Sequence, residues 1–310
     1  MADGAAAAGA ADRSLDPKVL DRLSGLELVA RTIVEGFLAG SHRSPHKGSS
    51  IEFAQHRQYV PGDELKNVDW KVFARSDRLV VKEFVEETNL ACHLLVDGSE
   101  SMGYSSLDWH KLDYARWCAA GIAHLTLKRR DTAGLVVFDE EGRQKVPPGN
   151  GEAQLVEVIQ TLAGADPGGP TQIGGVLDWF ASRLTRRGIV PIFSDFFDDI
   201  DAIVKGLVRL VHDGHEPILF QVVDPLERSF AFERLLRLDG LEDAGRRKVD
   251  PRALREAYLE EFNAHNEALA KHARSLDVDY VMLDTSQPVD QALSTYLGRR
   301  SARAMNGGRR

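Results

Sequence analysis

Cysteine is nearly missing. Cys92 and Cys118 are the only two in 310 residues, too few for a disulfide framework, and each stands in an apolar stretch where a buried, reduced thiol is expected. That usage fits a reducing cytoplasm. No apolar run approaches the roughly 18 residues needed to span a bilayer; the longest, such as Ile189 to Phe193, have strand length, so no membrane span is predicted. Positive charge is in deficit: 39 Lys and Arg stand against 47 Asp and Glu, a formal charge of −8. A polyanion could be bound only through a local patch, and nucleic acid is not an expected partner. What remains is ordinary, with 43% hydrophobic, 28% charged and 7% aromatic residues, and collagen-like or wholly disordered chains are excluded by it. At roughly 150 residues per domain the chain has room for two domains, or for one α/β domain with an accessory segment.

The Ala- and Gly-rich start carries Asp3 where a secretory signal would be basic, so residues 1–15 are expected to be a disordered tail. The Gly- and Arg-rich residues 301–310 are expected to be another. From Asp16 to Phe37, apolar residues recur at helical spacing behind an Asp16-Pro17 start, which predicts an amphipathic helix. Ser41 to Asp69 shows no clear period and is expected to be loop with short extended pieces. Around it Arg43, Lys47, Arg57, Lys66, Lys71, Arg75, Arg78 and Lys82 outnumber the acidic residues, so residues 16–90 form a helix and a basic accessory segment. This segment is either a solvated face or a dock for an acidic partner.

Alternation of strands and helices begins next. Strands are predicted at Leu79–Glu86, His93–Val96, Thr132–Phe138, Ile189–Phe193, Pro217–Val223 and Tyr280–Leu283, with a turn into a short polar strand at Asp139–Val146. Helices are predicted at Leu107–Arg130, Glu152–Leu162, Ile173–Arg187, Ile200–His212, Pro251–Leu276 and Val289–Arg299. The fold class that follows is α/β, a three-layer sandwich with a mostly parallel central sheet spanning residues 91–300.

Ligands in such folds sit beyond the carboxyl ends of the strands, at a switch in strand order. Acidic and hydroxyl residues collect at those ends: Asp97 to Ser101, Asp139, Ser194-Asp195 with Asp198 and Asp199, Asp224, and Asp284 to Ser286. The first group is the most informative. Asp97, Ser99 and Ser101 have D-x-S-x-S spacing, and Gly98 and Gly103 allow a sharp turn that aims alternate oxygens at one point. Hard oxygen donors with open positions suit Mg²⁺, with Mn²⁺ or Ca²⁺ as substitutes. Thr171, after Gly168-Gly169-Pro170, and Asp195, after the Ile189 strand, are placed to complete the set.

In order and setting these residues resemble a von Willebrand factor type A domain with a metal-ion-dependent adhesion site, matching Asp97, Ser99, Ser101, Thr171 and Asp195. More narrowly, Tyr59-Val60-Pro61-Gly62-Asp63, Val68-Asp69-Trp70 and Ala74-Arg75 ahead of Asp97–Met102 resemble the bacterial domain of unknown function 58 family. The resemblance runs from about Gly40 to Leu283. It implies a Rossmann-like type A fold, no catalysis, and a metal-dependent adaptor that accompanies a MoxR-type AAA+ ATPase. It also implies that Ser99, Ser101 and Thr171 are direct ligands, that Asp97 and Asp195 act directly or through water, and that a partner's acidic side chain fills the open position.

Competing readings attach to the same residues. Asp97 and its serines could be an ordinary helix-capping turn, Thr171 a cap for the next helix, and Asp198 and Asp199 acids at a helix start. Gly164 to Thr171 has phosphate-loop spacing, but Pro170 stands in place of the lysine. A haloacid-dehalogenase-like phosphohydrolase using Asp97 is the enzyme alternative; Ser99 then stands where a second carboxylate is needed. The histidines form no convincing metal pair, and His93 and His124 are expected to be structural.

Overall fold

The computed structural model describes Leu26, Glu27, Ala30 and residues 51–60, 63, 67–86, 91–139, 144–170, 172–232, 236–239, 246–249 and 251–307. Leu26, Glu27 and Ala30 are helical, and Leu26 and Ala30 are buried in the core; the rest of the predicted Asp16–Phe37 helix lies outside the described residues.

A six-stranded sheet forms the centre. Its strands are β3 (Ala91–Asp97), β4 (Thr132–Phe138), β5 (Gln144–Gly149), β6 (Gly188–Ser194), β7 (Glu216–Val223) and β10 (Asp279–Asp284), in the order β10-β7-β6-β3-β4-β5. All neighbours are parallel except β4 and β5. Every residue of β3 is buried, which is why its sequence is a continuous apolar run rather than an alternation. β5 contains Pro147 and Pro148, residues without an amide proton, and they are tolerated because β5 is an edge strand.

Helices α2 (Lys111–Lys128), α3 (Gly151–Gly164) and α8 (Val289–Gly307) cover one face of the sheet; α4 (Ile173–Ala181), α5 (Ile200–His212) and α7 (Pro251–Ser275) cover the other. Leu94 and Leu95 fall in the two separate cores, as successive strand residues must. The expected three-layer α/β sandwich is therefore present. Helix α4 ends at Ala181 rather than Arg187, and α8 continues to Gly307 rather than closing at Arg299.

Helix α2 starts at Lys111, four residues after the expected Leu107. Ser105 Oγ lies within 2.7 Å of Leu107 O and 2.5 Å of Trp109 O, and the Ser106 amide and hydroxyl both bond Asp224, so this stretch is spent on a local turn and a tertiary contact.

The accessory segment is more ordered than its sequence suggests. β1 (Ile51–Gln58) pairs antiparallel with β2 (Val80–Glu86), where mostly loop was expected, and α1 (Trp70–Ser76) follows. Its acidic residues hold local structure. Asp69 caps α1 through the Lys71 and Val72 amides, and Asp63 pairs with Arg57 and accepts the Val60 amide. A five-residue helix, α6 (Pro225–Ser229), and the pair β8 (Leu236–Asp239) and β9 (Arg246–Val249) were not predicted.

One close approach fixes the packing of α4 on α5. A Cβ on Gly174 would lie 2.5 Å from the Ala202 Cβ and 2.6 Å from its backbone carbon, so α4 and α5 touch through that glycine. Gly174→Ala is expected to cost about 1–3 kcal/mol in urea unfolding.

At the amino end of β3, the buried rings of His93 and His215 stand 6.4 Å apart, and His93 Nε2 and His215 Nδ1 have no hydrogen-bond partner among the described residues. Burial first, and the neighbouring His215 second, push the His93 pKa down from 6.5 to about 4. His93 is therefore held neutral at pH 7 inside the sheet. A histidine with a depressed pKa binds fewer protons folded than unfolded, so its contribution is intact above pH 6.5 and is lost as the pH falls toward 4. Acidification across that window is expected to cost roughly 3 kcal/mol, and His93→Phe to flatten this part of a stability–pH curve.

Candidate functional site

The chain winds outward from β3 through β4 to β5, then returns to the other side of β3 with β6. The switch in order lies between β3 and β6, where a parallel sheet opens a crevice at its carboxyl edge. Asp97 ends β3 and Ser194-Asp195 end β6, with Val96 opposite Phe193 in register. Asp97 is fully buried. One carboxylate oxygen accepts the Ser99 amide at 2.9 Å, and the other accepts the Ser194 hydroxyl at 2.6 Å. Burial and, after it, the nearby Asp195 charge raise its pKa from 3.8 to about 6.

The loop after Asp97 is pinned on both sides. The Gly98 amide bonds Phe138 O, the Glu100 amide bonds Gly169 O and the Gly168 amide bonds Gly98 O. A Cβ on Gly98 would come within 3.1 Å of Val137 Cγ1. A single 3₁₀ turn over Glu100–Gly103 follows, anchored by the buried Met102. The result is a pair of hydroxyls, Ser99 Oγ and Ser101 Oγ, 3.1 Å apart. Ser99 does not bond a helix amide as a simple cap would. Gly168 and Gly169 lie against this loop; Thr171 itself lies outside the described residues.

From the β6 side, the Ser194 hydroxyl that donates to Asp97 also accepts the Phe196 amide at 3.0 Å. Phe196 is buried with φ of 57°, a left-handed conformation unfavourable for a bulky residue. Asp195 is buried beside it. Asp198 and Asp199 do not join this group: Asp198 accepts the Ile173 amide at the start of α4, and Asp199 is the N-cap of α5. Their helix-start reading is the correct one.

Two residues that the sequence does not single out, Lys111 and Glu227, join this group through Asp195. Lys111 is 1% exposed, and its ammonium donates to Asp195 at 2.9 Å and to Glu227 at 2.6 Å. The two carboxylates hold its pKa above the usual lysine range against the opposing effect of burial. Glu227 belongs to the capping box of α6, and burial raises its pKa. A signal for Lys111 was present. It occupies the first position of the buried α2 stripe that continues through Ala115, Cys118 and Ile122, a register where a charge needs a buried partner.

Ser101 and Asp195 also border an open cleft of about 460 Å³ walled by Tyr104, Phe197, Tyr258 and Phe262. Among the described residues, no group of three or more His, Cys, Asp and Glu side chains is placed to hold a metal ion. The donors gathered here are instead two hydroxyls and two carboxylates. The phosphate-loop spacing finds no support, since Gly164 ends a helix and not a strand.

The chain belongs to the family described as protein of unknown function DUF58, which matches residues 55–268. The uncharacterized protein Rv1480 of Mycobacterium tuberculosis is 27% identical over 278 residues, 88% of this chain and 86% of the relative. The uncharacterized protein YeaD of Bacillus subtilis is 29% identical over 118 residues, 38% of this chain and 27% of the relative. Among solved structures, BatB from Bacteroides thetaiotaomicron aligns with 69% of this chain and 99% of its own, at 14% identity and a TM-score of 0.47. The pilus adhesin SpaC from Lactobacillus rhamnosus GG aligns with 69% of this chain and 30% of its own, at 11% identity and a TM-score of 0.43. Likenesses this distant carry no functional argument. No helix among the described residues is long and apolar enough to cross a membrane.

Proposed function

We propose that the loops ending β3 and β6 form a Mg²⁺ adhesion site of the von Willebrand factor A type, through which this chain binds an acidic side chain of a protein partner without catalysing a reaction. The observation that carries this reading is the hydroxyl pair Ser99 and Ser101, 3.1 Å apart beside the buried Asp97 and Asp195. The donor set fits the ion. All its atoms are hard oxygens, two are neutral hydroxyls, and two buried carboxylates repel each other until a cation lies between them.

Ser99 and Ser101 would hold the ion directly, Asp97 and Asp195 directly or through water, and Thr171 follows the glycines bonded to the same loop. A bound divalent ion with few carboxylate ligands keeps an electrophilic position for an incoming carboxylate. The chain's own residues do the rest. Ser194 fixes one Asp97 oxygen, the Ser99 amide fixes the other, and Lys111 restrains Asp195 and offsets part of its charge.

From the family resemblance, the partner is a MoxR-type AAA+ ATPase. A purified MoxR-type ATPase from the same organism is expected to be retained by the immobilised protein in Mg²⁺, released by chelator, and not retained by Ser99→Ala with Ser101→Ala. Retention that ignores both chelator and substitution would contradict the reading. The same proposal expects no metal-dependent hydrolysis of p-nitrophenyl phosphate; turnover abolished by Asp97→Asn would favour a phosphohydrolase.

A further inference from the structure

The aromatic cleft beside the serine loop has a chemistry of its own. Tyr258, Glu261, Phe262 and His265 lie at i, i+3, i+4 and i+7 on α7, one helical face, and all four line the cleft. Opposite them stands Phe197, 43% exposed, with ring centroids 5.6 Å from Phe262 and 5.7 Å from His265. Tyr258 stacks on Phe262 at 5.8 Å and on Phe230 at 4.4 Å. The wall is set rather than adaptable. His265 Nε2 donates to the carbonyl of Phe196 at 2.8 Å, and that residue's left-handed backbone turns Phe197 outward.

Rings alone would accept any apolar group, but three carboxylates border the same space: Asp195, Glu227 and Glu261. Lys111 supplies one positive charge to the first two, so the cleft keeps a negative balance, and Glu261 sits on its exposed side. π-faces with carboxylates attract a cation and repel an acidic group. A planar, weakly hydrated guanidinium suits stacked rings and a carboxylate better than an ammonium does.

We propose that this cleft binds an arginine side chain of a protein partner, its guanidinium against the exposed Phe197 ring and paired with Glu261. Ser101 and Asp195 belong to both the cleft and the serine loop, so the arginine would lie next to whatever occupies that loop. The inference goes beyond the metal reading and does not need the ion.

The test is calorimetric titration in chelator with three probes: acetylated and amidated Gly-Arg-Gly, the same peptide with citrulline as a neutral isostere, and agmatine. The arginine peptide is expected to bind saturably, and the citrulline peptide at least about tenfold more weakly. Glu261→Gln should reduce arginine binding to the citrulline level without moving the melting temperature, because Glu261 is exposed. Ser99→Ala alone, which removes a hydroxyl of the serine loop that does not line the cleft, should leave arginine binding unchanged, so failure of the metal site would be seen separately. Equal binding of arginine and citrulline, no saturation by either, or agmatine binding more tightly than the peptide would each overturn the proposal.

Discussion

Lys111→Met is expected to lower the stability of the metal-free protein by about 3–5 kcal/mol, the range for removing one member of a buried ion pair. The side chain is 1% exposed and its ammonium touches two carboxylates, Asp195 at 4% and Glu227 at 17% side-chain exposure. Methionine keeps the apolar stem and removes the charge, so packing is nearly conserved while two carboxylates in low dielectric lose their counter-charge. The loss therefore measures uncompensated charge. Adding Asp195→Asn and Glu227→Gln should recover most of it, and urea unfolding of the single and triple variants gives the comparison. A single variant within 1 kcal/mol of wild type would mean that water reaches these groups and that Lys111 has no special part in the site. Mg²⁺ should partly rescue the single variant, since a cation at Asp195 replaces the missing charge.

The second large effect concerns the serine hydroxyls. Ser99→Ala with Ser101→Ala is expected to weaken Mg²⁺ binding by about 100-fold or more, because two neutral ligands are lost and water must replace them in a space shaped for side chains. Metal-free stability should change by only about 1 kcal/mol, the ordinary worth of hydrogen bonds between neutral groups. A ligand that binds only the folded state stabilises it by mass action. Wild type should thus melt higher in saturating Mg²⁺, and the double variant should melt at one temperature with or without it. Calorimetric scans of both proteins, stripped and loaded, separate this from a general salt effect, which would raise both alike.

Much of this architecture was legible in the chain because the central sheet is parallel and covered on both faces. Its inner strands are mainly apolar runs that stop at acidic residues, as β3 stops at Asp97 and β6 just before Asp195. Parallel direction then places all those ends on one edge, so Asp97, Ser99, Ser101 and Asp195 could be grouped before any contact was known. What escaped the sequence depends on side chains meeting across long separations. Lys111 reaches Asp195, 84 residues away, and Glu227, 116 residues away; its place on the buried helical stripe signals that it needs a partner but not which residues supply it. The cleft draws on α7, whose charged surface residues hide the aromatic face that holds Tyr258 and Phe262. Ile-Glu-Phe-Ala-Gln-His-Arg-Gln has little apolar alternation, which predicts only a short extended piece within loop; pairing with β2 makes all eight residues a strand.

The central claim, a divalent-cation site built on the Ser99 and Ser101 hydroxyls, is tested most directly by isothermal titration of Mg²⁺ into chelator-stripped wild type and into Ser99→Ala with Ser101→Ala. The account predicts one saturable site in the wild type and none in the double variant. Equal binding by the two proteins, or no binding by either, would contradict it and leave the D-x-S-x-S loop as a turn that closes the sheet edge.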